Sequence, residues 1–183
     1  KLKATQASCL GNQKQLSLAF LMYADDNNNL IVPMESPPGT VINPAGGFWA
    51  GPLGGSTALV GQSSAQATRL VQNGLSGRNP LFRFAPNVGV YHCPGDVRFK
   101  LTPGNDPGRI GWAYDSYSKT QNVGGESYGN YDGMRATYTK VSAVTSPALT
   151  FLLIEHADSR GYNVGTWVIP WDVPSARFAW VDP

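Results

Sequence analysis

A chain of 183 residues fits one domain, long enough to bury a core without metal or several disulfides. Charged residues make up only 14% against the usual quarter or so, and a net charge of +2 with no basic block gives no footprint for nucleic acid. No apolar run reaches the roughly 18 residues a membrane span requires, and no secretory leader is visible.

Lys1 to Asn29 reads as one long amphipathic helix. Cys9, Leu16, Phe20 and Tyr23, with Ala19 beside them, form a stripe at helical spacing that should face the body. Leu16, Phe20 and Tyr23 are expected to make the helix-to-sheet contact. Leu10, Leu18, Leu21 and Met22 extend the apolar surface beyond that stripe. A surface helix needs only one apolar face, so the excess points either to a second packing surface or to a helix enclosed on two sides by its own domain. Asp25, Asp26 and Asn27 to Asn29 end the helix, because Asn and Asp favour turns and caps over helix interiors. About 28 helical residues would reach roughly 40 Å.

The remainder has a different texture. With 21 Gly and 14 Pro, residues 30–108 read as a loop-rich region, interrupted by a short helix at Ser64 to Asn73. Ser64 is the expected N-cap of that helix and Gly74 its stop. Val88 to Tyr91 suggests a brief strand. Residues 109–183 form the β region, with strands expected at Arg109 to Ser118, Tyr138 to Val144, Ala148 to Glu155 and Val164 to Ile169. The continuous apolar run ALTFLLIE marks the third of these as central. Strands follow strands without intervening helices, so the expected class is α+β: a long N-terminal helix on a small antiparallel sheet with long Gly/Pro-rich loops, in one domain over 1–183.

Two cysteines are present, Cys9 and Cys93. Pairing would close a loop of over 80 residues and contribute about 4 kcal/mol in the chain-entropy model; an oxidising compartment favours it. The alternative is two separate buried thiols acting as small hydrophobes.

Ser8 to Leu16 (SCLGNQKQL), continuing through Ala19-Phe20 to Met22-Tyr23-Ala24-Asp25-Asp26-Asn27, resembles the bacterial type IV pilin-like proteins, and within them the type II secretion pseudopilin-like group. His92-Cys93-Pro94-Gly95-Asp96 is similar to a "CPxD" loop of that group. Pro147-Ala148-Leu149-Thr150-Phe151 with Glu155 is similar to its "PSxTFxxxDE" strand. The three segments fall in the family's order. Two departures stand out. The family's hydrophobic N-terminal half-helix and processing site are missing before Lys1, and the sequence stops at Val181-Asp182-Pro183, about where many members carry a segment leading to Asp-Gly-His. The expectation is a soluble head fragment, or else a chain that ends there.

The resemblance implies a filament subunit, periplasmic or extracellular, whose partners are other pilin-like subunits meeting it through the N-terminal helix. It implies an inner-membrane anchor only through the missing segment of a longer precursor. Some pseudopilins bind calcium near the C-terminal sheet, and Asp115, Asp132 and Asp158 are the oxygen donors placed to do so here. Glu155, His156 and Asp158 cluster at the end of the best strand and suit either a metal or a local hydrogen-bond set. No nucleophile motif such as Gly-x-Ser-x-Gly occurs, and nothing brings Asp96 and Asp172 together as a carboxylate pair, so no enzyme is expected. The competing class is an extracellular carbohydrate-binding or adhesive module, in which Trp112, Trp167 and Trp171 stack on a surface glycan; the other reading of these rings is that they fill the core.

Overall fold

The computed structural model describes residues 2–32, 57–106, 109–120, 123, 138–150, 152–156 and 166–167. The chain is an α+β fold. Helix α1 (Leu2–Asp26) is followed by α2 (Ser64–Arg78) and three short strands, β1 (Tyr117–Thr120), β2 (Leu153–Glu155) and β3 (Thr166–Trp167).

α1 has 25 residues, about 37 Å of helix. Its inner stripe is Cys9, Leu16, Ala19, Phe20, Tyr23 and Ala24, all buried. Two asparagines with positive φ, Asn28 (54°) and Asn29 (66°), stop it; Asn tolerates this left-handed backbone better than most residues. The amides of Asn27 and Asn29 both return to the Ala24 carbonyl. The chain then turns to lie antiparallel to Thr139–Val141, with Ile31 N donating to Thr139 O at 2.9 Å.

α2 begins at Ser64 as its sequence suggested, but its cap lies one residue earlier and the helix continues past Asn73 to Arg78. Ser63 is the N-cap and forms a capping box with Gln66. Gly74 is an interior, buried position, because the helix continues to bury Leu75 in the core.

The strands depart further from expectation. β1 lies in the middle of the sheet, antiparallel to β2 and parallel to β3. Among the described residues the sheet is therefore mixed, and the ALTFLLIE segment supplies an edge strand instead of the central one. The reason is local. Pro147 opens a 3-10 turn, Pro147–Leu149, closed by Leu149 N to Ser146 O and Thr150 N to Pro147 O, so only Leu153–Glu155 pairs. The strand expected from Arg109 is shortened to Tyr117–Thr120: Gly111 takes φ 65°, and the preceding segment is spent on other contacts. Trp112 Nε1 donates to Phe99 O at 2.9 Å, and Ser116 N donates to Tyr91 O at 2.9 Å. Val88–Tyr91 is a 3-10 turn, capped by Asn87, whose Oδ1 accepts from Gly89 N at 2.9 Å. Residues 141–143 also form a 3-10 turn, so only the start of the 138–144 segment is extended.

One core joins these parts: the α1 stripe, Ala67, Val71 and Leu75 of α2, then Leu81, Val90, Tyr91, Trp112, Tyr117 and Leu153. α1 packs chiefly on the Val88–Tyr91 turn. All four β1 residues are buried, Lys119 included, whose Nζ donates to Val123 O at 2.7 Å.

Cys9 and Cys93 form a disulfide across 84 residues, with Cα atoms 5.0 Å apart. Replacing Cys93→Ser should lower the unfolding free energy by about 4 kcal/mol, read as a fall in the urea midpoint with a steeper slope, because the unlinked denatured chain exposes more surface. An unchanged midpoint would show that packing alone fixes α1.

Candidate functional site

Two features of α1 stand out, the clip at its first half and the apolar face it turns outward. The clip is built by the loop His92–Asp96 and by β1. Asp96 accepts from Arg98 N and Nε (both 3.0 Å), from Arg98 Nη2 (2.6 Å) and from Ser116 Oγ (2.8 Å). Ser116 Oγ in turn accepts from Cys93 N at 3.0 Å. The His92 ring stacks on Tyr114, with centroids 4.9 Å apart, and meets Phe99 edge-on. His92 Nδ1 lies 2.7 Å from the Tyr114 carbonyl; a carbonyl only accepts, so Nδ1 carries the proton. Asn12 closes the arrangement from the helix side by donating to His92 O at 2.8 Å, and Tyr117 OH donates to Cys9 O at 3.3 Å.

Ser116, His92 and Asp96 thus come together, but Ser116 is fully buried with its proton directed to Asp96. The set braces a loop. It lacks a free base facing an accessible nucleophile.

The outer face is apolar. Of the nine large hydrophobic side chains exposed among the described residues, five are on α1: Leu2, Leu10, Leu18, Leu21 and Met22. Leu10 and Leu21, eleven residues apart, share nearly one azimuth on a 3.6-residue helix, and Leu18 stands about 60–80° from them on the same outer side. Leu10 is 66% and Leu18 58% exposed, whereas Leu16 between them is 0% exposed. No described helix is long and apolar enough to cross a membrane.

Leu16, Phe20 and Tyr23 are buried in the core beside the 88–91 turn. Asp115 is buried; Asp132 and Asp158 lie outside the described residues, so the calcium set is not assembled among them. Trp112 is a core residue, 3% exposed with its indole N–H bonded inside the protein; this corrects its assignment as a glycan contact, because a stacking platform needs an open ring face. Trp171 lies outside the described residues, and Trp167 is described through its β3 backbone alone. His156 is buried at the end of β2. The group of three metal-ligand side chains that does converge among the described residues is Cys9, Cys93 and Glu155, with ligand atoms within 4.8 Å of one another.

Sequence reasoning missed Asn12 and the Asp96–Arg98–Ser116 set. An Asn in mid-helix is a poor helix former and was the available signal for the first; the Pro-Gly-Asp turn followed by Arg98 was a weaker signal for the second.

No protein-family model matches the chain, and no curated protein or solved structure matches it.

Burial opposes ionisation of Asp96, but the Arg98 side-chain and backbone hydrogen bonds, the Ser116 hydroxyl and the Arg98 charge together hold its carboxyl below the ordinary value. A depressed folded pKa adds stability above the unfolded pKa and loses it as pH falls through the folded one. Asp96→Asn should therefore cost about 2 kcal/mol at pH 7 and flatten the acid limb of the stability–pH curve. An acid limb of unchanged slope would remove Asp96 from this role. At the alkaline end, burial pushes Tyr23 up to about 12. Tyr117 also rises to about 12, through burial first, opposed by the Asn12 hydrogen bond and helped by the charges of Glu155 and Asp96. Burial raises Tyr91 as well. The folded state keeps these protons while unfolded tyrosines lose theirs near 10, so stability should fall as pH rises past about 10. Tyrosinate absorbance should then appear together with loss of helical circular dichroism. Full ionisation of all tyrosines with the helix intact would contradict this.

Proposed function

We propose that the protein is a structural subunit of a type IV pilus-like or type II secretion pseudopilus filament, working in the periplasm or outside the cell, and that the outer face of α1 receives neighbouring copies. The observation that carries this reading is the placement of Leu10, Leu18, Leu21 and Met22. These residues are exposed on the same helix whose opposite stripe already fills the core. Apolar surface left in water forgoes roughly 25 cal/mol per Å², and a surface helix serving only its own domain has no use for a second apolar side.

Charge supports a like partner. Lys14 and Asp25 are both exposed and lie eleven residues apart on this outer face, about 16 Å along the axis. A parallel neighbour shifted by that distance sets Asp25 of one copy against Lys14 of the next, with Leu18 and Leu21 between them. The disulfide fits an oxidising compartment. The three segments that carry the family resemblance also meet in space, at Cys9, Cys93 and Glu155.

Replacing Leu18→Glu together with Leu21→Glu should abolish concentration-dependent self-association in sedimentation velocity and leave the melting temperature within a few degrees, because neither side chain is in the core. Undiminished association, or a collapse in melting temperature, would count against an outward-facing assembly surface. The genomic reading frame gives a second test: about twenty apolar residues after a short basic leader, upstream of Lys1, are expected, and a frame encoding a cleaved secretory leader directly before Lys1 would overturn the reading.

A further inference from the structure

The disulfide has a third neighbour. Glu155, exposed at the end of β2, brings a carboxylate oxygen within 4.8 Å of both Cys9 and Cys93 sulfurs. A groove of about 470 Å³ opens onto all three, bordered also by Thr5, Gln6 and Gln13. We propose that reduction of the Cys9–Cys93 bridge turns this clip into a binding site for a thiophilic divalent cation of the zinc class, held by the two thiolates and the Glu155 carboxylate.

The ligands come from three separate elements, α1, the His92–Asp96 loop and β2, so the ion would tie together the parts that the disulfide and the sheet join in the oxidised chain. Geometry permits it. Zinc binds thiolate at about 2.3 Å and carboxylate at about 2.0–2.2 Å in a tetrahedron, which sets ligand atoms roughly 3.5–3.8 Å apart. The observed spread of 4.8 Å at most is closed by side-chain rotation. The two sulfurs must move apart from bonding distance, and their Cα atoms need not follow, because Asn12 still holds His92 O and Ser116 still holds Cys93 N without the bond. Gly95 keeps the site open. A Cβ there would stand 2.9 Å from Thr5 Cγ2, crowding the helix, and 3.6 Å from Cys93 Sγ, in ordinary contact with the sulfur. The groove leaves room for water as the fourth ligand.

The chemistry balances with a dithiol as reductant. The S–S bond breaks, two S–H bonds form, and the dithiol supplies two electrons and two protons as it closes its own disulfide. Metal binding then releases those two protons to solvent as two metal–sulfur bonds form, so the site weakens in acid. Exchange with an external disulfide, which takes the two electrons and is reduced to its dithiol, re-forms the Cys9–Cys93 bond and releases the ion. The metal therefore serves a chain in a reducing compartment, before the disulfide takes over the same attachment. This inference stands apart from the filament reading and survives its failure.

The test uses the full chain, reduced by a phosphine that leaves as its oxide, because dithiols bind metal themselves. Cobalt(II) serves as the optical stand-in for zinc. One equivalent should bring up thiolate-to-cobalt charge-transfer and tetrahedral ligand-field bands, zinc should displace it, and the oxidised protein should show neither band. Glu155→Gln should weaken cobalt about tenfold with an unchanged circular dichroism spectrum. Absence of the bands in the reduced chain overturns the proposal, as does equal affinity in the Glu155→Gln variant. Should reduction itself diminish the helical signal, one equivalent of zinc is expected to restore it, and failure to restore it is equally fatal.

Discussion

The attachment of α1 to the His92–Asp96 loop is the constraint on which the remaining structure depends. A helix of 25 residues with no basic residue in its last turn gains little from its own dipole at that end; the exposed Asp26–Arg83 pair at 3.2 Å offsets little of this. Its position is fixed instead by tertiary contacts: the Cys9–Cys93 bond, the Asn12 amide on His92 O, and the burial of Leu16, Phe20 and Tyr23. The loop can receive the helix because it is itself rigid. Asp96 gathers Arg98 and Ser116, Ser116 holds the Cys93 amide, and His92 is packed between Phe99 and Tyr114.

That attachment divides the helix surface in two. Fixing one stripe against the 88–91 turn leaves the opposite side facing solvent, and that side carries leucines where a solitary domain would carry charges. The proposed assembly would bury that side by docking a neighbouring copy on it. The same geometry brings Glu155 to the sulfurs, because β2 pairs with β1 in a register that sets Glu155 across from Tyr117, and Tyr117 reaches the helix at Cys9 O.

Some of this was legible in the residues. The 3.6-residue spacing of Cys9, Leu16, Phe20 and Tyr23 located the inner stripe of α1, and the Asp/Asn run marked its end, because both signals act within one helix. The excess of Leu10, Leu18 and Leu21 was visible too, though not the side it would face. Sheet order was illegible. ALTFLLIE reads as a central strand on apolarity, yet Pro147 opens a 3-10 turn and Leu149 remains 85% exposed. The true central strand, Tyr117–Thr120, holds Ser, Lys and Thr. A polar strand enters the core when its side chains find partners there, as Lys119 does at Val123 O, and such pairings are long-range facts that local patterns do not encode. Trp112 illustrates the converse, since composition alone cannot separate a surface platform from a buried ring whose indole is satisfied at Phe99 O.

Cross-linking in cells that make the protein tests the central claim most directly. Cys9 and Cys93 are paired, so a cysteine introduced by Leu18→Cys is free to report on its neighbours. A bifunctional maleimide should convert the Leu18→Cys protein into a covalent homodimer, the limit for one thiol per chain, and Ser76→Cys, on the exposed side of α2, should give none. Dimers of equal intensity from both positions, or none from Leu18→Cys, would contradict the account of α1 as a helix that fills its own core with one face and meets its own kind with the other.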